Sequence, residues 1–239
     1  MRRADMSENI GFRIFTKVHR ADSTLVELFK DIPVCNIDDS MNKIASACSA
    51  IKPLNNVKLL GTAITVKAPI GDNLMFHQAI SMAEAGDVIV VDGGGCTERA
   101  ICGENMMQIA RQKGIRGFLV DGSIRDSAAL DDFEDFSVFA RGVMANASFK
   151  GLGPGEINVP VSLGGLVIFP GDIIVGDRDG VVSIRPANAK LIATAARELM
   201  DKEQANLELI LQGKSDRSWI LKALRERGCE FIDKTWNEE

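Results

Sequence analysis

The apolar residues of this chain recur with different periods in different regions, and together they predict a mixed α/β protein. Residues 1–20 are polar and mixed in pattern, which indicates an N-terminal arm rather than core. Helical spacing behind Asp22, a suitable N-cap, predicts a helix at residues 25–29, and a second short helix is expected at residues 41–48. The β-branched, apolar run at residues 59–68 predicts a strand.

The middle of the chain predicts a parallel strand–helix–strand unit. Residues 88–91 are continuously apolar, as expected of a strand buried on both faces, and the glycine run 93–95 ends it. A helix is predicted from Glu104 to Gly114, followed by a second buried strand at residues 117–120. Parallel neighbours joined by a right-handed crossover place their carboxyl ends side by side. The loops behind these two strands are therefore expected to share one edge of the sheet.

The remaining regions predict further helices and a β-rich segment. Asp72 or Asn73 is positioned to cap a helix that follows the strand at 59–68. Later in the chain, short apolar runs punctuated by glycine predict strands at residues 137–140, 157–161, 166–169, 172–175 and 180–184. Asp179-Gly180 is expected to form the turn of a hairpin, with a longer loop that includes Gly176-Asp177-Arg178 as the alternative. Helices are predicted at residues 186–212 and 219–227.

Length and composition narrow the class of protein. The chain has 239 residues, 46% of them hydrophobic and 26% charged, which is typical of a globular fold and excludes a disordered or fibrous chain. Its net charge of −5 argues against direct nucleic-acid binding. No apolar segment is long enough to span a membrane and no signal-peptide core follows the N-terminus, so a cytoplasmic location is expected. No linker interrupts residues 21–239, which are predicted to form one domain behind the arm.

Cysteine and histidine offer few catalytic or metal-ligating groups. Five cysteines without CxxC spacing and two histidines exclude a zinc finger and a disulfide scaffold. Cys96 directly follows the glycine run and Cys102 directly precedes Gly103, and neither has a histidine partner in the motif, which disfavours a thiolate nucleophile. His77 lies among apolar helix positions and is predicted to be a core or interface residue rather than a base. The Met106-Met107 pair is interpreted as core packing, and Asp177-Arg178-Asp179 as a hairpin rather than a calcium loop.

The loop behind the first strand of the central unit is a candidate anion site. The glycine run allows close backbone approach, and Gly103-Glu104-Asn105-Met106 opens a helix whose free N–H groups suit a carboxylate or phosphate. Nucleotide motifs are not matched, since the glycine run lacks the spacing of GxGxxG and no P-loop sequence is present. The alternative that the glycines serve only a tight turn stays open.

The loop behind the second strand carries Arg125 and Asp126, a candidate metal and substrate site. A carboxylate is a hard oxygen ligand for magnesium or manganese, which keep several waters and take further ligands from substrate. An arginine gives planar, bidentate recognition of a substrate carboxylate. The alternative is that the two residues form an exposed ion pair or that Asp126 caps a helix.

A family resemblance is carried by the stretch from Gly86 to Asp126, GDVIVVDGGGCTERAICGENMMQIARQKGIRGFLVDGSIRD, which resembles the RraA-like proteins. This family includes the metal-dependent class II 4-hydroxy-4-methyl-2-oxoglutarate aldolases and the regulator of ribonuclease activity A. Further support comes from Thr65-Val66-Lys67, Asp72-Asn73-Leu74, Gly176-Asp177, Asp179-Gly180-Val181-Val182 and Lys202-Glu203. The resemblance implies a single-domain α-β-β-α sandwich, similar to swivelling domains, and a homotrimer or hexamer with active sites between subunits.

The resemblance also implies catalytic and metal-binding roles. Asp126 would bind the divalent metal, Mg²⁺ or Mn²⁺, largely with waters, and Arg125 would contact a small 2-oxo acid substrate. Glu104 would order a water near the reacting centre. A glutamate from the late helix of the neighbouring subunit would complete the site, with Glu203 as the best match and Glu198 as the alternative.

Substrate-binding roles are implied for the residues around the start of the predicted helix at Gly103. Asn73 and the backbone amides of Asn105 and Met106 would hold the pyruvoyl carboxylate. A metal bound at such a site stabilises the negative charge that develops when a 2-oxo acid releases pyruvate, so no lysine Schiff base is needed. Oxaloacetate could lose carbon dioxide at the same site.

Two functions of different classes follow from this resemblance. The first is a metal-dependent aldolase with oxaloacetate decarboxylase activity, and the second is a non-catalytic regulator that binds a ribonuclease or helicase partner. The presence of both Gly103-Glu104 and Arg125-Asp126 favours the enzyme, because a pure binding surface has no need of them.

Overall fold

The computed structural model describes residues 9–149 and 153–236 and divides them into two units. The first unit ends at Glu198 and the second begins at Leu199, within one long helix. The strands are β1 (Phe12–Ile14), β2 (Lys52–Pro53), β3 (Leu59–Lys67), β4 (Asp87–Cys102), β5 (Gly117–Ile124), β6 (Ser137–Val143), β7 (Gly155–Ile157), β8 (Val161–Leu163), β9 (Leu166–Ile168), β10 (Ile173–Asp177) and β11 (Gly180–Ile184). The helices are α1 (Ser23–Glu27), α2 (Val34–Ser40), α3 (Leu74–Met82), α4 (Glu104–Gln112), α5 (Ala189–Leu211) and α6 (Ser218–Glu226), with 3-10 turns at Ser127–Asp132 and Pro186–Asn188.

The described strands form one large mixed sheet and a separate β8-β9 pair. The large sheet has the order β1-β7-β3-β4-β5-β6-β2, and β10 and β11 join it through the start of β3. β3, β4, β5 and β6 are parallel neighbours, which confirms the predicted strand–helix–strand unit β4-α4-β5. β10 and β11 form the predicted antiparallel hairpin.

Both faces of the central strands are buried, which explains their continuous apolar runs. Ile89 and Val91 of β4 pack with Phe76 of α3 and with the buried residues of α4. Val88 and Val90 pack on the opposite face with residues of β8, β9, β10 and β11. The outer side of the β10-β11 hairpin is covered by α1, α2 and the first turns of α5. The α/β class and the α-β-β-α order of layers are therefore confirmed.

Near the N-terminus the structure confirms one predicted helix and moves another. α1 follows Asp22, whose Oδ1 accepts a hydrogen bond of 2.8 Å from the backbone N–H two residues later. The helix predicted at residues 41–48 is wrong, because α2 ends at Ser40. Asn42 and Lys43 both have a φ of 62°, a left-handed conformation that a helix cannot continue. The predicted N-terminal arm contains β1. The division of the chain into an arm at residues 1–20 and one domain at residues 21–239 stays a prediction.

β4 and β5 are longer than predicted and take the glycine run into the sheet. The pairing of β4 with β5 continues to Cys102 but shifts its register after Asp92, Cys96 and Ala100. Gly94 and Gly95 each have a φ of 70°, a backbone conformation that favours glycine, and so they let the strand bulge. The loop expected behind β4 is thereby reduced to Gly103, which leads directly into α4.

The second unit contains the end of α5 and α6, near the positions predicted for both helices. α6 is followed by Gly228, whose φ of 77° is typical of the residue that ends a helix. Within the described residues, no helix combines the length and the apolar character that a membrane span needs.

Of the two predicted caps of α3, Asp72 supplies the side-chain hydrogen bond. Its Oδ1 accepts from the Leu74 N–H at 2.8 Å, and the residue is only 7% exposed. We expect Asp72→Ala to lower the free energy of unfolding by about 1–2 kcal/mol, because a first-turn donor loses its acceptor. Urea unfolding followed by circular dichroism measures this change, with Asp131→Ala, at an exposed position, as the control. Equal midpoints for wild type and Asp72→Ala would show that this cap is dispensable.

Candidate active site

The carboxyl ends of β3, β4 and β5 bring most of the predicted site residues to one edge of the sheet. Asn73 immediately precedes α3, Gly103 separates β4 from α4, and Arg125 and Asp126 follow β5. Because these three strands are parallel neighbours, their ends lie side by side. Crevices at the carboxyl ends of parallel strands are common ligand sites in α/β proteins.

Asp126 is held against the start of α4 while its side chain stays accessible. Its backbone is left-handed, with φ 58° and ψ 37°, which is uncommon for a residue other than glycine and turns the chain sharply after β5. Its Oδ2 accepts a hydrogen bond of 3.1 Å from the Glu104 N–H and lies 3.6 Å from the Arg125 Nε. The side chain is 47% exposed. Within the described residues, Oδ1 has no hydrogen-bond partner and so can accept a ligand.

Gly103 is the residue that lets Asp126 and Arg125 approach α4 so closely. A Cβ built on Gly103 would lie 3.1 Å from the Arg125 Cγ and 3.2 Å from its Nε, and it would overlap the Asp126 Oδ2. The backbone φ of Gly103 is −148°, which any residue adopts. The requirement for glycine is therefore one of space and not of backbone conformation.

The first turn of α4 offers one of the two predicted backbone amides. The Met106 N–H donates to the Gly103 carbonyl at 3.0 Å, so this donor already has an acceptor. Its side chain is buried beside that of Met107, as predicted for core packing. The N–H of Asn105 is a first-turn donor without an intrahelical acceptor, and the described part of the chain gives it no other partner. The Asn105 amide is thus a first-turn donor that could bind an anion at this helix end.

Asn73 connects the start of α3 to the end of β4. Its Nδ2 donates to the Ile101 carbonyl at 3.1 Å and lies 3.8 Å from the Met106 Sδ. The Oδ1 of Asn73 is not used by either contact. Asn73 is half-buried, so its amide is fixed at the same sheet edge as Gly103.

The structure places Glu104, Glu203 and the alternative Glu198 on different parts of the chain. Glu104 begins α4, is exposed, and its Oε1 accepts a weak hydrogen bond of 3.4 Å from Gln108 Nε2. Glu203 lies on the part of α5 that belongs to the second unit, and Glu198 is the last residue of the first unit. The assignment of either residue to a neighbouring subunit's site stays a prediction.

The donor set at Asp126 fits a divalent cation held by one carboxylate. Within the described residues, no cluster of three or more histidine, cysteine, aspartate or glutamate side chains could enclose a metal ion. A single accessible carboxylate with a free oxygen suits magnesium or manganese, which retain waters and accept ligands from substrate. Asp126 alone would therefore hold the ion on this chain, with water and substrate completing its coordination.

The buried Asp121 and the partly buried Arg141 form an ion pair at this edge whose role was not predicted from the sequence. Asp121 is 6% exposed and accepts hydrogen bonds from the Arg141 Nε and from the Gly164 N–H. The hydrogen bond to Asp121 raises the pKa of the Arg141 guanidinium. The pair ties β5 to β6 and to the turn between β8 and β9. The sequence feature that could have identified this pair is the position of Asp121 directly after the apolar run 118–120.

The cysteines near this edge are unsuited to nucleophilic catalysis. Burial raises the pKa of the Cys102 thiol, and the nearby Asp126 carboxylate raises it further, so the thiolate is disfavoured at neutral pH. Cys96 lies in the bulged part of β4. We expect Cys96→Ser to keep any catalytic activity of the protein within about twofold of wild type. Serine preserves the shape of the side chain, and we assign the Cys96 thiol no part in the chemistry. Steady-state kinetics of the variant checks this, and an inactive, folded Cys96→Ser protein would contradict our assignment of the site.

Two further predictions concern residues away from this edge. His77 is exposed on α3, so the prediction that it belongs to the core is wrong. Its place at an interface stays a prediction. Asp177 accepts hydrogen bonds from the backbone N–H groups of Val34 and Asp179, as expected of a hairpin rather than a calcium loop. The two-residue turn is Arg178-Asp179, one position earlier than predicted.

Comparison with known proteins places this chain in a family. The model of the RraA-like family, described as Aldolase/RraA, matches residues 34–183. A protein of Halalkalibacterium halodurans, provisionally named a 4-hydroxy-4-methyl-2-oxoglutarate aldolase, is 40% identical over 209 residues, which cover 87% of this chain and 97% of that protein. An uncharacterised Pseudomonas syringae protein shares the fold, with a TM-score of 0.70 at 22% identity, over 82% of this chain and 96% of that one. The RNA-processing inhibitor RraA from Thermus thermophilus matches with a TM-score of 0.58 and 26% identity, over 64% of this chain and 93% of its own. The chain is a member of the RraA-like family.

Proposed function

We propose that this protein is a divalent-metal-dependent class II aldolase that cleaves 4-hydroxy-4-methyl-2-oxoglutarate or a related 2-oxo acid to pyruvate, and that it also decarboxylates oxaloacetate. The observation that carries the proposal is the accessible Asp126 carboxylate, oriented by the Glu104 N–H beside Arg125. The provisional name of the Halalkalibacterium relative supports the same activity.

The metal and the substrate would meet between Asp126 and the start of α4. A bound Mg²⁺ or Mn²⁺ would supply a Lewis acid that stabilises negative charge on the substrate keto oxygen. Arg125, with a half-exposed guanidinium, would pair with the substrate carboxylate. The Asn105 N–H would fix the orientation of that carboxylate, aided by the helix N-terminus. The second Nδ2 hydrogen of Asn73, which now faces the Met106 Sδ at 3.8 Å, would turn to donate to the same carboxylate.

Cleavage of the aldol carbon–carbon bond then requires removal of the substrate hydroxyl proton and transfer of the bond's electron pair. A base takes the proton of the substrate hydroxyl, the adjacent carbon–carbon bond breaks, and its electrons pass into the pyruvate unit, which is later protonated on carbon. Glu104, exposed at the start of α4, would order the water that relays this proton. Glu203 of a neighbouring copy would complete the site in a homotrimer or hexamer, with Glu198 as the alternative. In oxaloacetate, the bond to the departing carbon dioxide breaks instead, and its electron pair passes into the pyruvate unit. No hydroxyl proton has to be removed.

Pyruvate release tests the proposal directly. The purified protein is assayed with 4-hydroxy-4-methyl-2-oxoglutarate and with oxaloacetate, in the presence of magnesium or manganese and again with excess chelator. We expect release that depends on the metal and exceeds the rate of metal alone. Pyruvate release that is undiminished by the chelator would contradict the proposal. So would release no faster than with metal alone for both substrates.

A regulator that binds a ribonuclease or helicase partner is the second candidate function. It is favoured by the fold similarity to the Thermus RNA-processing inhibitor, which has 26% identity. A pull-down with purified ribonuclease and helicase tests it, and here Asp126→Ala should retain binding. Absence of a complex together with metal-dependent pyruvate release would decide for the enzyme.

A further inference from the structure

Arg99 is an arginine at the same sheet edge that has no carboxylate partner among the described residues. Arg125 lies beside Asp126 and Arg141 pairs with Asp121, so these two arginines near the same edge have counter-ions. The Arg99 guanidinium instead stacks on the Phe149 ring, 3.8 Å from its centroid, and its Nη1 donates to the Ala147 carbonyl at 3.3 Å. A cation fixed by neutral groups keeps donors free for an external anion.

The surroundings of Arg99 hold its side chain in place. The Phe149 N–H donates to the Gly71 carbonyl at 2.9 Å, which anchors the stacking ring to the loop before α3. A Cβ on Gly71 would come within 2.9 Å of the Arg99 Cδ, so the arginine stem packs directly on this glycine. The Ala100 N–H donates to the Asn146 carbonyl at 2.8 Å and joins β4 to the segment that carries Phe149. Arg99 is thus preorganised rather than free in solvent.

Arg99 also lies at a suitable distance from the proposed pyruvoyl site. Asn73 contacts the Ile101 carbonyl, and the Arg99 stem packs on Gly71, which precedes Asn73 by two residues. Two residues of extended chain span about 7 Å, which sets the upper scale of the separation between Gly71 and Asn73. The carboxylate carbons of an extended five-carbon dicarboxylate are about 5 Å apart, from carbon–carbon bonds of about 1.5 Å. With a hydrogen bond at each end, such a molecule can contact Asn73 and Arg99 together.

We propose that Arg99 binds the distal carboxylate of a dicarboxylic 2-oxo acid and so determines substrate specificity. This inference rests on the proposed function, because it takes the first carboxylate to lie at Asn73, Asn105 and Arg125. Aldol substrates with a second carboxylate would be preferred over those that end in a methyl group. The preference would arise mainly in binding, since Arg99 does not contact the atoms that react.

Equilibrium binding tests this assignment without turnover. Calorimetry in the presence of magnesium compares 2-oxoglutarate with 2-oxopentanoate, which has the same length but a methyl group in place of the distal carboxylate. We expect the wild type to prefer 2-oxoglutarate about 10-fold to 100-fold, as for a charge-assisted pair, and Arg99→Met to lose that preference. Arg99→Lys should recover part of it.

The control is Arg111→Met, which removes another stacked arginine. Arg111 lies over the Phe133 ring at 4.1 Å but is paired with Asp135, so its loss should leave the preference unchanged. Equal binding of the two 2-oxo acids by the wild type, or binding of neither, would overturn the assignment of Arg99. So would a preference retained in a folded Arg99→Met protein. The pyruvate-release assay separately decides the aldolase, so an active enzyme without the preference refutes only the role of Arg99.

Discussion

Replacement of Asp126 by alanine should reduce kcat/KM for pyruvate release by at least about 10³-fold, because the proposed metal would lose the carboxylate that this chain offers it. The free Oδ1 and the exposure of the side chain make Asp126 the group at this edge best placed to hold a cation. The loss should not be repaired by saturating substrate, since the charge that develops during cleavage is left without its stabilising cation. Steady-state kinetics across magnesium and manganese concentrations measures this effect.

Two further variants separate loss of the metal from loss of structure. Asp126→Asn keeps the hydrogen-bond acceptor for the Glu104 N–H but removes the charge, so it should fold normally and stay almost inactive. Asp132→Asn removes an exposed acid of the following 3-10 turn and should retain wild-type kinetics. An active Asp126→Asn protein with unchanged metal dependence would show that another group binds the metal.

Much of the fold could be predicted because the central strands carry a strong signal. Residues 88–91 and 117–120 are apolar on both faces, and the helix between them has a defined start and end, so the parallel crossover followed from general rules. The helix at 41–48 failed for a local reason. Its apolar positions fitted a helical pattern, but Asn42 and Lys43 adopt a left-handed backbone that the pattern does not encode.

The sequence predicts that the site residues gather at one edge of the sheet, but it predicts the contacts among them less well. Arg125, Asp126 and Gly103 were named from motif and resemblance, yet the hydrogen bond from the Glu104 N–H to Asp126 joins positions 22 residues apart. That contact lies where the pairing of β4 with β5 shifts its register three times, and only the first shift contains glycines, so the irregularity leaves no periodic trace in the sequence. Stacking of Arg99 on Phe149 has a similar origin, because it depends on where one loop meets another strand.

Gly103→Ala should reduce kcat for pyruvate release about 10²-fold while the protein stays folded. Displacement of a catalytic group by about 1 Å can lower a rate by that factor. The Cβ would overlap the Asp126 Oδ2 and press on the Arg125 stem at 3.1 Å, so both side chains must move away from α4. Both are about half exposed and can move into solvent, which spares the core. Kinetics, metal affinity by calorimetry and thermal unfolding together distinguish a distorted site from an unfolded protein.

Gly142→Ala is the matched control, since Gly142 lies on β6 near the same edge and its Cβ would meet only the Ser123 Oγ, at an ordinary 3.5 Å. We expect this variant to keep wild-type kinetics and metal affinity. If Gly103→Ala were as active as Gly142→Ala, the carboxylate of Asp126 would not need its position against α4. The catalytic cation would then have to be held elsewhere, and the close approach of β5 to α4 would serve packing alone. If Gly103→Ala lost activity but kept its metal affinity, the need for glycine would instead come from the position of Arg125 and the orientation of the substrate.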